Sequence, residues 1–217
     1  MIDIKTIKNI LTGLLLLIGG TALAQNSFSL TSPDGHVVSE ISIDNQISWS
    51  VFHKGDVMLA PSAISMVFDS IKPFGIAPCL IGSSSRSVDE VFDTPIYKRS
   101  KVRNNYNELI LKFKNDYNIV FRAYDDGLAY RFQYTGTKEC KVMAEQAEFV
   151  FPSDADAIFS YVRNWGDGTY GDKFDRQFSN SFEDACVYTK LSQWEHERLA
   201  FLPVVISGPN EKKDLYY

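Results

Sequence analysis

Residues 105–134 constrain this chain more than any other stretch, because apolar and polar side chains alternate along them three times over. Leu109, Leu111 and Phe113 alternate with Glu108, Lys112 and Lys114. Ile119, Phe121 and Ala123 alternate with Asn118, Arg122 and Tyr124, and Leu128, Tyr130 and Phe132 with Arg131 and Gln133. A period of two sends successive side chains to opposite faces of an extended strand. The breaks fall at Asn115-Asp116 and Asp125-Asp126-Gly127, residues that tolerate positive φ and so close tight hairpins. The stretch therefore predicts a three-stranded antiparallel meander with one apolar face. Something must cover that face, and the predicted class is all-β.

With 217 residues, of which 45% are hydrophobic and 23% charged, the chain can bury a full core. Fifteen Phe, eleven Tyr and three Trp favour strands over helices. Residues 1–24 read as an export signal: Lys5 and Lys8 precede an apolar run, and Thr21-Ala22-Leu23-Ala24 supplies small residues for cleavage after Ala24. The run falls short of the roughly 20 residues that span a bilayer, and no lipid-acceptor cysteine follows, so no stable membrane anchor is expected. The mature protein would be periplasmic or extracellular. Losing Asp3, Lys5 and Lys8 removes a net +1, moving the formal charge from −5 to −6, which disfavours nucleic acid as a partner. Cys79, Cys140 and Cys186 lack metal-ligand spacing; one disulfide plus a spare thiol and three buried unpaired thiols are both open.

Further strands are predicted over residues 37–43, 47–52, 57–59 and 60–68. Residues 69–89 are rich in Gly, Pro and Ser and show no period. Residues 91–98 resume as a strand carrying Pro95, which suits a sheet edge. Residues 142–151, 185–190 and 199–206 read as strands, and 154–159 as a helical turn capped by Ser153 or Asp154. Residues 209–217 form a turn and then open a strand that would partner 199–206. The sequence stops as that strand begins, so it reads as the front part of a longer protein, with residues 25–217 forming one all-β domain that is incomplete at its C-terminal end.

No nucleophile elbow, phosphate loop, zinc motif or EF-hand spacing is present. His36, His53 and His196 lie in or beside turns and charged stretches, without a partner pattern that would activate a base. Residues 161–182 form a long loop rich in aromatics, Gly and Asp, where Trp165, Asp167 and Tyr170 make a candidate sugar platform, with Asp172 and Asp175 nearby. An aromatic face stacks on sugar C–H groups while carboxylates accept hydroxyl hydrogen bonds. Turn chemistry explains the same residues structurally and is the blander reading. Glu183, Asp184, Glu195 and Glu197 are acids without an assignable pair, so no catalytic or metal-binding residue is assigned. Arg122 and Arg131 sit on neighbouring strands, as cross-strand partners of acids or as lining of a concave face.

The order of several motifs is more telling than any one of them. Leu30-Thr31-Ser32-Pro33-Asp34-Gly35, residues 104–109, and Phe121-Arg122-Ala123-Tyr124-Asp125-Asp126-Gly127-Leu128-Ala129-Tyr130-Arg131-Phe132 are joined by Phe149-Val150-Phe151-Pro152 and Leu199-Ala200-Phe201-Leu202-Pro203. Together they resemble the N-terminal domain of glycoside hydrolase family 97 across nearly all of the mature chain. The resemblance implies an all-β fold, an antiparallel β-sandwich of the galactose-mutarotase-like super-sandwich type, with residues 25–217 as the N-terminal β-sandwich domain preceding a (β/α)8 catalytic barrel in an exported α-glucosidase or α-galactosidase. It implies calcium for the full-length enzyme, though no cofactor within this chain, and an oligosaccharide or α-glycoside as ligand. The barrel is absent here, so the chain alone is expected to hydrolyse nothing. A free-standing carbohydrate-binding module and a nonfunctional remnant stay open as rival readings.

Overall fold

The computed structural model describes residues 26–96, 98–162, 186–195, 199–207 and 214–216. Thirteen strands lie within them, in three antiparallel sheets. The first sheet contains β1 (Ser27–Thr31), β2 (Val37–Ile43), β3 (Ile47–His53), β4 (Asp56–Phe68) and β9 (Val142–Ala147), in the order β1-β2-β3-β4-β9. The second contains β5 (Leu80–Asp93), β6 (Lys101–Phe113), β7 (Tyr117–Tyr124) and β8 (Gly127–Tyr134), in sequence order. The third is built from β10 (Asp156–Phe159), β11 (Val187–Lys190), β12 (Val205–Ser207) and β13 (Asp214–Tyr216), ordered β11-β10-β12-β13.

The alternation in residues 105–134 does what its period requires. Leu109, Leu111, Phe113, Ile119, Phe121 and Ala123 point to one side and are buried. They meet Phe28, Leu30, Ile41, Ile43, Ile47, Trp49, Leu59 and Ile64 of the first sheet in one shared core. Phe113, Tyr117 and Phe74 stack in series, with ring centroids 4.6 and 4.2 Å apart. Trp49 meets Tyr130 edge-on across the sandwich at 5.4 Å. Cutting a buried aliphatic such as Ile119 to Ala in such a core costs about 2–5 kcal/mol. Pro61 is tolerated inside β4 because the register slips between Trp49 and Val51 of β3, where an irregularity removes the need for its missing N–H.

A second, smaller core gathers Ala155, Ala157, Phe159, Val204 and Ile206 under the third sheet, and Phe151 packs against both cores. Phe159 stacks on Trp194 at 3.9 Å. The expected pairing of the last strand is present, Val205 lying opposite Tyr216 and Ser207 opposite Asp214.

Four sequence expectations need correction. Residues 80–93 form one 14-residue edge strand, where the sequence predicted irregular chain to 89 and a strand over 91–98; Pro95 sits in the hairpin turn that follows. Residues 156–159 are a strand rather than a helical turn, so Asp154 caps no helix in its own segment. Its carboxylate instead accepts the Ser192 amide and hydroxyl, each at 2.8 Å. The strands predicted over 142–151 and 199–206 shorten to Val142–Ala147 and Val205–Ser207. All three cysteines are unpaired, with Cys79 and Cys186 exposed and Cys140 half-buried, so neither a disulfide nor a set of buried thiols is present.

Candidate functional site

Trp165, Asp167 and Tyr170, the sugar platform read from the sequence, lie outside the described residues, as do Asp172, Asp175, Glu183, Asp184, His196 and Glu197. The segment that carries most of them leaves the third sheet after β10 and rejoins it at β11, where Phe159 and Val187 are directly paired. Of the remaining candidates, Glu195 donates its amide to the Tyr161 hydroxyl at 3.0 Å. His36, expected to lack a partner, has one: its Nδ1 lies 2.8 Å from Asp34 Oδ2. Hydrogen bonds from the Ser32 hydroxyl and the His36 amide hold the Asp34 carboxyl down to about 2. This is turn chemistry that fixes the entry to β2.

The side-chain cluster with the strongest electrostatics was not foreseen as a cluster. Glu108 reads in the sequence as part of a solvated polar face, yet it is 1% exposed, the one buried charged side chain among the described residues. It lies in register between Arg86 on β5 and Arg122 on β7. Arg86 Nε donates to one carboxylate oxygen at 2.6 Å and Arg122 Nε to the other at 2.7 Å. Burial pushes the Glu108 carboxyl up, but the two guanidinium hydrogen bonds and charges outweigh it and leave the group below its ordinary value. The Arg122 guanidinium also lies 4.4 Å above the Tyr106 ring, which packs against Tyr124. Both carboxylate oxygens are occupied and the group is held ionised, so it is poorly placed to pass a proton. Its work is to fasten three strands together. Arg122 thus pairs with an acid across strands, while Arg131 is exposed on β8.

Beyond this clamp the second sheet narrows to a ribbon. β7 pairs with β6 only from Asn107 to Phe113, whereas β5 pairs with β6 through to Asp93 and Lys101. Residues 89–93 and 101–105 therefore extend as a two-stranded arm of roughly 17 Å beyond the buried Tyr106. Arg103 grips Asp89 through two hydrogen bonds of 2.7 and 2.8 Å, and Asn104 binds Glu90 at 2.7 Å. Among the described residues no three His, Cys, Asp or Glu side chains converge on one point.

Comparison with known proteins agrees with this architecture. The chain is 42% identical over 185 residues to a retaining alpha-galactosidase of Bacteroides thetaiotaomicron, covering 85% of this chain and 27% of that protein. A glycoside hydrolase family 97 enzyme from Pseudoalteromonas sp. strain K8, solved with panose, shares the fold with a TM-score of 0.69 at 21% identity, over 84% of this chain and 27% of that one. A beta-arabinopyranosidase structure matches with a TM-score of 0.55 at 25% identity, over 61% and 22%. The chain thus spans about a quarter of the length of these relatives. A sequence model of the glycosyl-hydrolase 97 N-terminal family matches residues 30–216, nearly the whole of the described sandwich, and the chain belongs to that family.

Proposed function

We propose that this chain is the N-terminal scaffold of an exported α-glycosidase, packing on a catalytic (β/α)8 barrel and closing one side of its sugar pocket. The observation that carries the reading is the family match over residues 30–216 combined with coverage of only 27% of the galactosidase relative. The higher identity to that relative than to the panose-bound enzyme favours an α-galactoside as substrate of the whole protein. Residues 1–24 direct export and are removed after Ala24. Calcium belongs to the full-length enzyme rather than to the described residues. Sugar contacts from this domain are assigned to Trp165, Asp167 and Tyr170 on residue chemistry alone.

On this reading hydrolysis depends on the catalytic barrel, and the chain by itself is expected to hydrolyse nothing. The test is to delete the matching 185 residues from the Bacteroides relative. Loss of α-galactosidase activity in a soluble product supports a scaffold role; full activity without the domain refutes it. Weak sugar binding by the isolated chain that disappears in Trp165→Ala would support the assignment of the loop.

A further inference from the structure

The arm formed by residues 89–93 and 101–105 carries apolar side chains where a solvated ribbon would carry polar ones. Val91 is 60% exposed, Phe92 47%, and Ile96 at the tip 99%. Val91 stands opposite Arg103 and Phe92 opposite Val102, so the two faces of the ribbon each present an apolar residue. A two-stranded ribbon is marginal in water on its own, and apolar groups on both faces and at the tip suit insertion into a groove rather than contact along one side. The tip is also basic: Lys98, Arg99 and Lys101 flank Ile96, in a chain whose formal net charge is −5. At the other end, the Arg86–Glu108–Arg122 clamp fixes the strands from which the arm projects.

We propose that this arm is a docking element that inserts Ile96 and Phe92 into an apolar groove on the catalytic portion of the same polypeptide. The proposal rests on the scaffold reading above, since relatives have about three quarters of their length outside the region this chain matches. A second copy of the chain fits less well, because a symmetric contact would bring two triads of like charge together. An anionic membrane also fits less well, because Asp89, Glu90 and Asp93 run along the same ribbon and would be repelled.

The test grafts this chain into the Bacteroides relative in place of its matching region and puts photoreactive p-benzoylphenylalanine at position 96. Irradiation and peptide mapping should give an intramolecular cross-link to a peptide outside the graft. A cross-link between two copies, a cross-link confined to the domain, no cross-link in a folded monomeric graft, or co-sedimentation with phosphatidylserine vesicles overturns the proposal. Ile96→Asp in the isolated chain provides a second arm. A melting temperature that stays within about 2 °C fits a surface side chain awaiting its partner, and a larger fall shows that Ile96 packs within the domain, which overturns the proposal. Hydrolysis separates the two readings: an active graft without the external cross-link removes the docking arm and leaves the scaffold. A folded graft with no activity counts against the scaffold itself.

Discussion

Two residues show how much single positions determine here. Gly75 has φ +78°, and a Cβ placed on it would sit 2.4 Å from the Ile64 carbonyl oxygen. Its amide donates to the buried Tyr117 hydroxyl at 3.2 Å and its carbonyl accepts the Ile47 amide at 2.9 Å, so the backbone cannot easily retreat. Gly75→Ala should cost about 2–3 kcal/mol in urea unfolding. Gly35, with φ +79° and open space around it, should lose only about 1 kcal/mol on the same change. Equal losses at the two sites would show that backbone conformation, not the close approach, dominates. Glu108 sets a pH dependence. Its folded pKa is depressed, so its contribution is full above the unfolded value of about 4.3 and is lost as pH falls through the lower folded value. Glu108→Gln should lower stability at pH 7 by about 1–3 kcal/mol and flatten the acid side of the stability profile. Nothing in the sequence marks Glu108 as buried. Period two placed it correctly on the face away from the core, but the guanidinium that covers it from one side belongs to Arg86, in a segment with no readable period.

The readability of each element tracks how unevenly its two faces are buried. β2 buries one face and exposes or half-exposes the other, and β3, β6 and β7 do so apart from Ser50, Tyr106, Glu108 and Val120, so their alternation is visible, and the bounds of β2 and β3 fall close to those read from sequence. In β5, Ser83, Ser84, Ser85, Arg86 and Ser87 are all exposed. With neither face buried there is no selection for alternation, and the strand exists because β6 pairs with it along its length. β10 was hidden for another reason: four residues are too few to tell a strand from a turn, and the third sheet was not foreseen as a separate unit. That sheet rests on a small core, so it should behave as a local unit of its own. Trp194→Ala removes the ring stacked on Phe159 and should cost about 1–3 kcal/mol. Hydrogen exchange should then speed up in residues 156–159 and 205–207 while amides of β6 and β7 keep their protection. Uniform acceleration across all three sheets would mean that they unfold as one.

At the scale of the molecule, the family was legible because five short motifs keep their order across the chain, and the sandwich follows from the same residues. The site was legible only in part. The sugar platform rests on residues outside the described ones, whereas the clamp and arm emerge only from strand pairing, which a linear reading does not provide. The central claim is that this domain serves a catalytic portion it does not contain. The most direct measurement is hydrolysis of an α-galactoside by the purified chain and by its graft into the Bacteroides relative, side by side. The expected result is no turnover by the chain and turnover by the graft within about tenfold of the parent, a margin of about 1.4 kcal/mol in transition-state stabilisation. Hydrolysis by the chain alone, or a folded graft that remains inactive, would contradict the claim.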